Sequence, residues 1–266
     1  MRFLFATLVL SIFLISCERT FTYNANEIQI EEKDRNQNTK NLGRLQAEPP
    51  TDSFNFVVIS DTQRFYEELD DFVEKINTYP NISFVILNGD MTDFGLRSEY
   101  LWITHRLRKL SFPFLVVIGN HDMLGNGREL YKQMYGPENF GFSFSDHKFI
   151  VLNSNSQEVG HNGTLPDTTW LKQELSATPS QQKIFILSHL SPFSGDFDRS
   201  LEQPYAKMLA DNGNVTYSIH GHDDISYLGQ PYGPPVNYLV VNSIKDRSFV
   251  LIKVNTNDTE VEKVFF

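Results

Sequence analysis

Residues 84–93 read FVILNGDMTD, an apolar, β-branched run that passes into a glycine and two carboxylates. Four other segments repeat this arrangement: a run typical of a strand buried on both faces ends two or three residues before a side chain that can bind metal or exchange a proton. The runs cover residues 56–59, 84–87, 115–118, 184–187 and 215–219, and the side chains that follow them are Asp61, Asp90, Asn120 with His121, His189 and His222.

This layout is typical of a two-metal hydrolytic site, because the carboxyl ends of neighbouring strands form one rim. A carboxylate such as Asp90 has two oxygens and can bridge two cations, which lie about 3.5–4 Å apart in such sites. Gly89 and Gly119 each precede a candidate ligand and permit the backbone turn and close approach that a metal needs.

The order of elements predicts an α/β fold. Strand and helix patterns alternate to about residue 220 and strands dominate thereafter, which favours an α-β-β-α sandwich of two mixed β-sheets flanked by helices. Residues 28–30 alternate as in a short strand. Helices are predicted over residues 66–79, 97–110, 128–135, 167–175 and 201–212, a hairpin or an extended strand over 142–153, and strands over 236–242, 248–254 and 260–265.

Size and charge narrow the class of protein. The chain has 266 residues, 40% of them hydrophobic, which suffices for one large layered domain. Its net charge is −10, and the sequence has no Lys/Arg cluster interleaved with aromatics. We therefore expect no nucleic-acid partner.

The amino terminus resembles a bacterial lipoprotein signal. A positive start, an apolar stretch and a small residue before Cys17 predict a signal peptide over residues 1–16 and lipidation of Cys17. A plain secretory signal with an incidental cysteine is the alternative. Residues 17–52 are predicted to be a flexible tether of about 35 residues, long enough to hold the domain at 53–266 on the order of 30 Å from a membrane. The predicted location is the extracytoplasmic side of the cell envelope, anchored to the inner or the outer membrane.

The motifs together resemble those of the calcineurin-like metallophosphoesterases. The resemblance covers about residues 55–228, and the combination is highly specific although each motif alone is weak. Residues 163–175 are also similar to that family's linker and helix before the His189 strand. The motifs shared in order and rough spacing are Asp61, Gly89-Asp90 with Asp93, Gly119-Asn120-His121-Asp122, His189 with Pro192, and Gly221-His222.

The resemblance implies two divalent metal ions. Asp90 would bridge both ions and Asp61 would bind the first. The second site would be completed by Asn120, His189 and His222.

The resemblance also implies roles around the metals. His121 would act on the leaving-group oxygen as an electrophile or general acid, with Asp122 orienting its ring. Asp93 would support the ligands without binding metal. A hydroxide bridging the ions would attack phosphorus opposite the leaving alkoxide, with no covalent enzyme intermediate.

Two positions depart from the family pattern, and both concern the first metal. The family has histidine two residues after the first aspartate and two after His222, where this chain has Gln63 and Asp224. If both ligate, their oxygens suit Mn²⁺ first, then Mg²⁺ or Ca²⁺, better than Zn²⁺ or iron. Three alternatives stay open: Gln63 as a solvated residue at a helix start, Asp223 in place of Asp224, and His220 as a ligand.

The predicted activity is hydrolysis of a small phosphate ester, either a monoester or a diester. The acidic balance disfavours a nuclease. A degenerate metal- and phosphate-binding lipoprotein is the alternative from another class, motivated by the two missing histidines. His121 and Asp122 favour the enzyme, because a binding protein does not need an acid pair. His161, in a loop over residues 154–166, is a candidate substrate contact.

Overall fold

A computed structural model describes residue 24 and residues 26–49, 51–256 and 258–266. The predicted signal peptide and Cys17 lie outside the described residues. Among the residues that are described, no helix is both long and apolar enough to cross a membrane.

Two mixed β-sheets pack face to face between outer layers of helices, which confirms the predicted α-β-β-α sandwich. The helices and strands predicted after residue 53 are present with small shifts at their ends; the short strand predicted over 28–30 is absent, and one helix, α1, and one short strand, β8, are added. In chain order the helices and strands are α1 (Gln37–Gln46), β1 (Phe54–Ile59), α2 (Tyr66–Ile76), β2 (Ile82–Asn88), α3 (Arg97–Leu107), β3 (Phe114–Val117), α4 (Gly127–Met134), β4 (Phe140–Phe144), β5 (His147–Val151), α5 (Thr168–Ala177), β6 (Lys183–Leu187), α6 (Arg199–Asn212), β7 (Val215–His220), β8 (Tyr227–Gly229), β9 (Asn237–Val240), β10 (Ser248–Val254) and β11 (Thr259–Phe265).

The first sheet has the strand order β11-β10-β1-β2-β3 and the second has β4-β5-β6-β7-β9-β8. In the first sheet β1, β2 and β3 are parallel, and in the second β5, β6, β7 and β9 are parallel. The antiparallel strands lie at the sheet margins. The parallel strands therefore bring their carboxyl ends, and the residues that follow them, to one end of the sandwich.

The core is divided into three apolar layers. Along β1 alternate residues serve different layers: Phe56 and Val58 pack between the sheets, whereas Val57 and Ile59 pack under the helices outside. Because both faces are covered, the strand is a continuous apolar run instead of an alternating one. Aromatic rings fill the middle layer, where the Phe56 and Phe84 rings stack at 5.1 Å, as do Phe149 and Phe185.

The prediction of a flexible tether over residues 17–52 is wrong for its later half. Residues 37–46 form α1, which covers β3, the edge strand of the first sheet. The Asn38 side chain acts as a peptide group would: its amide donates to the Val116 carbonyl and its oxygen accepts from the Val116 N–H, both at 2.9 Å. Asn41 accepts from the Phe114 N–H at 3.2 Å. The composition of these polar residues indicates a linker, but here their side chains supply hydrogen-bond partners to the backbone at the edge of β3.

Residues before α1 are also attached to the domain. Arg108 donates to the buried Asp34 carboxylate at 2.6 Å, and Arg97 donates to the Gln29 carbonyl at 2.7 Å. Residues 28–30, predicted as a short strand, run along this surface without forming one. The folded domain thus includes described residues well before position 53.

We predict that Asn38→Ala lowers the free energy of unfolding by about 1–3 kcal/mol, because it leaves two buried peptide groups of β3 with fewer partners. Urea unfolding followed by circular dichroism measures the change. Thr39→Ala, at an exposed position of the same helix, is the matched control and should change stability by less than about 0.5 kcal/mol. Equal stability of the two variants would contradict the edge-covering role of α1.

Candidate metal centre

The carboxyl ends of the two sheets are tied together directly beneath the predicted site. The Asn88 side chain, on β2, donates to the carbonyls of Ser188 and Ile219 in the second sheet, at 3.2 and 3.3 Å. In return, Nδ1 of His189 donates to the Asn88 carbonyl at 2.8 Å. These bonds fix the end of one sheet against the end of the other, and they leave Nε2 of His189 facing the site.

The four residues predicted for the second metal lie together. Side-chain ligand atoms of Asp90, His189 and His222 all lie within 4.8 Å of one another. Nε2 of His189 is 3.2 Å from Oδ2 of Asp90, and Nδ1 of His222 is 3.1 Å from Oδ1 of Asn120. Oxygen and nitrogen donors converging at this spacing fit a divalent cation.

The charges of this cluster also fit a cation. Burial raises the pKa of Asp61 to about 7, with His189 lowering it and the Asp90 charge adding to the rise. Burial opposes the charged form of Asp90 as well, but His189 outweighs it and the pKa of Asp90 is lowered. The carboxylates in turn overcome the effect of burial on His189 and raise its pKa to about 10. Two adjacent buried carboxylates thus draw in positive charge, which a metal ion would supply.

The first site is less complete. Asp61 lies beside the cluster, with Oδ2 accepting from the His222 N–H at 3.2 Å and Oδ1 4.0 Å from Nε2 of His189. Oε1 of Gln63 is buried without a hydrogen-bond partner. A buried oxygen with no donor fits a metal ligand better than a solvated residue at a helix start.

The structure does not support Asp224 as a ligand. Its carboxylate accepts from the Lys245 ammonium, and its side chain is 56% exposed. Asp223, the alternative, accepts from the Ser191 and Ser194 hydroxyls at 3.3 and 3.1 Å. His220 is fully buried, with one ring nitrogen on each of two serine hydroxyls, and does not join the cluster. The candidate ligands of the first site are therefore Asp61, Gln63 and the shared Asp90. Among the described residues, no imidazole takes the place of either missing histidine.

His121 lies at the edge of the cluster in a position suited to an acid. Its Nδ1 donates to the Asp93 carbonyl at 2.9 Å, and its backbone N–H donates to Oδ1 of Asp90 at 3.0 Å. Burial opposes the protonated ring, but the Asp93 carbonyl and the Asp90 carboxylate outweigh it and raise the pKa of His121. Asp93 thus supports the site through its backbone, while its carboxylate pairs with Arg64.

The predicted role of Asp122 is wrong in detail. Its buried carboxylate does not hold the His121 ring; it accepts from the backbone N–H groups of Gly119, Met91 and Thr92 at 2.9, 3.1 and 2.9 Å. Asp122 therefore ties the loop that carries Asn120 to the loop that carries Asp90.

Three of the predicted ligands have an unusual backbone conformation. Asp61, Asp90 and His222 all have left-handed φ angles, of 55°, 53° and 70°. Such angles are uncommon outside glycine and are tolerated where surrounding contacts enforce them. A side chain at Gly119 would overlap the amide and carboxylate of Asp90, so this position requires glycine.

Two residues near the site carry no signal in the sequence. Oδ2 of Asp196 is 2.9 Å from Nε2 of His222, and the backbone carbonyl of Asp196 accepts from Nε2 of His161 at 3.0 Å. Burial raises the pKa of Glu158, whose charge interacts with His121 and Asp90. His161 is thus part of the loop structure around Asp196. Neither acid stands at a motif spacing; Glu158 falls in the loop 154–166 that carries His161, and Asp196 has no such signal.

The fold and this cluster define a class of proteins, the two-sheet sandwiches that can hold divalent metal ions at the carboxyl ends of their parallel strands. The backbone is similar to that of a dimetal phosphatase from Danio rerio, with a TM-score of 0.65, 15% identity, and coverage of 79% of this chain and 95% of that one. Residues 54–225 match the family model of the calcineurin-like phosphoesterases. The chain belongs to this family.

Two relatives carry more specific names. A "probable glycerophosphodiester phosphodiesterase" of Arcobacter nitrofigilis is 29% identical over 119 residues, which are 42% of this chain and 44% of that protein. A 3',5'-cyclic-nucleotide phosphodiesterase of Nostoc is 27% identical over 168 residues, covering 57% of this chain and 63% of that protein. The chain thus spans less than two thirds of the length of either relative.

We predict that the metal-free protein binds one Mn²⁺ tightly and a second weakly, because the first site lacks both imidazoles. Isothermal titration calorimetry resolves the two steps. Gln63→His should strengthen the weak step on the order of tenfold, equivalent to about 1.4 kcal/mol. Asp224→Asn, the matched control, should change neither step. Two equally tight ions in the unaltered protein would contradict the asymmetry.

Proposed function

We propose that this protein is a metal-dependent phosphodiesterase that hydrolyses small phosphodiesters. The observation that carries the proposal is the convergence of Asp90, Asn120, His189 and His222 with His121 beside them. Both relatives described above are named as phosphodiesterases, which favours a diester.

Charge around the site also favours a diester over a monoester. Two basic side chains beside the predicted ligands, Arg64 and Lys245, are each engaged by a carboxylate, Asp93 and Asp224 respectively. Because neither cation is free to pair with phosphate, the second negative charge of a monoester dianion gains no partner from them, which favours a diester.

The predicted ligands, His121 and Asp122 have different roles around the reacting phosphate. When bound, divalent ions neutralise phosphate charge and activate water as the nucleophile. Because Nδ1 of His121 is held by the Asp93 carbonyl, Nε2 is the atom that can deliver a proton to the leaving oxygen. Asp122 keeps the loops of Asp90 and Asn120 in register, and so positions the ligands without touching substrate.

We further propose Mn²⁺ as the preferred metal, with Mg²⁺ or Ca²⁺ as substitutes at the first site. Asp61, Gln63 and Asp90 offer only oxygens there, which suit hard cations. The second site adds two imidazoles from His189 and His222, which broaden its choice to other divalent ions.

We also propose that the chain is a lipoprotein of the bacterial cell envelope, anchored through Cys17 and active on the extracytoplasmic side. The basis is the sequence of residues 1–17. Because Arg97 fixes Gln29 to the domain, the spacer of eleven residues 18–28 reaches at most ~40 Å even when fully extended. A free tether up to residue 52 could extend about three times as far.

We predict that purified protein with Mn²⁺ hydrolyses bis(p-nitrophenyl) phosphate faster than p-nitrophenyl phosphate, and that Asp90→Asn abolishes both activities. His121→Ala should lower kcat about 10²–10⁴-fold for diesters with an alkoxide leaving group, and less for p-nitrophenolate, which leaves without a proton. Release of the alcohol and of p-nitrophenolate measures the two cases.

The matched control for His121 is His105→Ala, at an exposed position of α3, which should leave kcat unchanged. An equal loss for both leaving groups in His121→Ala would contradict its role as an acid. The absence of turnover with every metal tested would favour the binding-protein alternative.

We predict that the protein produced in a bacterial host has no free thiol and enters the detergent phase on Triton X-114 partition. Cys17 is the single cysteine of the chain, so a thiol count on the denatured protein reports its modification directly. Cys17→Ala should partition into the aqueous phase. A free thiol in aqueous-phase wild-type protein would support the plain secretory alternative.

A further inference from the structure

We propose that Asp196 is a positioning residue for the metal ligand His222. Its carboxylate accepts a proton from one ring nitrogen and thereby leaves the other free for the ion. The proposal rests on the metal-dependent function proposed above, which it deepens by naming what sets the geometry of the second site. Asp196 lies in the loop between β6 and α6, outside every motif of the sequence.

The imidazole of His222 is held between two oxygens. Nδ1 lies 3.1 Å from Oδ1 of Asn120, inside the ligand cluster, and Nε2 lies 2.9 Å from Oδ2 of Asp196, on the outer side. A neutral imidazole carries one proton and both oxygens can only accept it, but the charged carboxylate is a stronger acceptor than the amide oxygen of Asn120. Asp196 therefore selects the form of His222 with its proton on Nε2 and its lone pair on Nδ1, which faces the cluster.

The same contact fixes the orientation of the ring. His222 has a left-handed backbone, with φ of 70°, and its side chain is 17% exposed, so the ring stands at the mouth of the site and not in the core. His189, by contrast, is completely buried and its ring is fixed by the Asn88 carbonyl. Asp196 therefore fixes the ring of His222 in the way that the Asn88 carbonyl fixes the buried ring of His189.

Asp196 is itself held by a neighbouring loop. Nε2 of His161 donates to its backbone carbonyl at 3.0 Å. The Gln157 side chain, oriented with its amide nitrogen toward Asp196, donates to the two carboxylate oxygens at 2.7 and 3.1 Å. These contacts join residues 157–161 through Asp196 to His222, so the loop over the site and the metal ligand share one hydrogen-bonded chain.

The neighbouring acid does not duplicate this role. The Asp223 carboxylate is engaged by the hydroxyls of Ser191 and Ser194. Carboxylates that orient metal-binding histidines typically contribute 10–100-fold to metal affinity. We expect an effect of that size from Asp196.

The test measures metal binding directly, so that it is independent of turnover. Metal-free protein is titrated with Mn²⁺ in wild type, Asp196→Ala, Asp196→Asn and Asp211→Asn. We expect Asp196→Ala to weaken the tighter binding step about 10–100-fold. Asp196→Asn should recover most of that loss, because the amide oxygen still accepts from Nε2. Asp211→Asn, an exposed acid on α6, makes the same change in net charge and should have no effect.

Nitrogen-15 spectra of the histidine rings in the Mg²⁺-loaded wild-type protein give a second readout that requires no variant. We expect His222 to carry its proton on Nε2 and to bind the ion through Nδ1. Wild-type affinity in Asp196→Ala, an equal loss in Asp211→Asn, or a His222 ring protonated on Nδ1 would overturn the proposal. Loss of affinity in Asp196→Ala without phosphodiesterase activity in the wild type would retain the positioning role and reject only the proposed reaction.

Discussion

The site depends first on the hydrogen bonds of Asn88, which join the carboxyl ends of the two sheets. Each sheet alone delivers an incomplete set of ligands: the first carries Asp61, Asp90 and Asn120, and the second carries His189 and His222. The side chain of Asn88 crosses to the second sheet, and its carbonyl orients the ring of His189. The interior position makes these bonds strong and their loss costly, because no water can replace them. The distances between the ligands of the first sheet and those of the second therefore depend on this connection between the sheets.

Electrostatic repulsion is the opposing constraint. Asp61 and Asp90 are both buried, and left-handed backbone at both residues turns their carboxylates toward one point. Without a cation His189 carries compensating charge, as its raised pKa indicates. The free energy gained in packing and in cross-sheet bonding holds these groups together against their own repulsion, so the fold keeps ready a site whose natural counterpart is a metal ion.

Much of this arrangement follows from the sequence, and the failures have physical causes. Runs such as 84–87 predict strands because both faces are buried, and parallel pairing then places Asp90 and its counterparts at one rim. The docking of α1 could not be predicted, because Asn38 resembles a linker residue until the β3 edge is known. Backbone N–H groups bind the Asp122 carboxylate and Lys245 binds that of Asp224. Motif spacing predicts neither kind of contact. The contact of Asp196 with His222 likewise joins two loops that no pattern relates.

The two halves of the centre differ in how firmly the protein fixes them. Each imidazole on the second-site side has an outer hydrogen bond, from His189 to Asn88 and from His222 to Asp196. On the first-site side, Oε1 of Gln63 has no such partner and Asp224 is drawn outward by Lys245. Preorganised ligands bind an ion without further ordering, whereas unbraced ones must be ordered by it. The loss of the two histidines therefore changes more than the donor atoms. The second site stays rigid, whereas the first site is occupied only if binding of the ion and the phosphate supplies the free energy that orders its ligands.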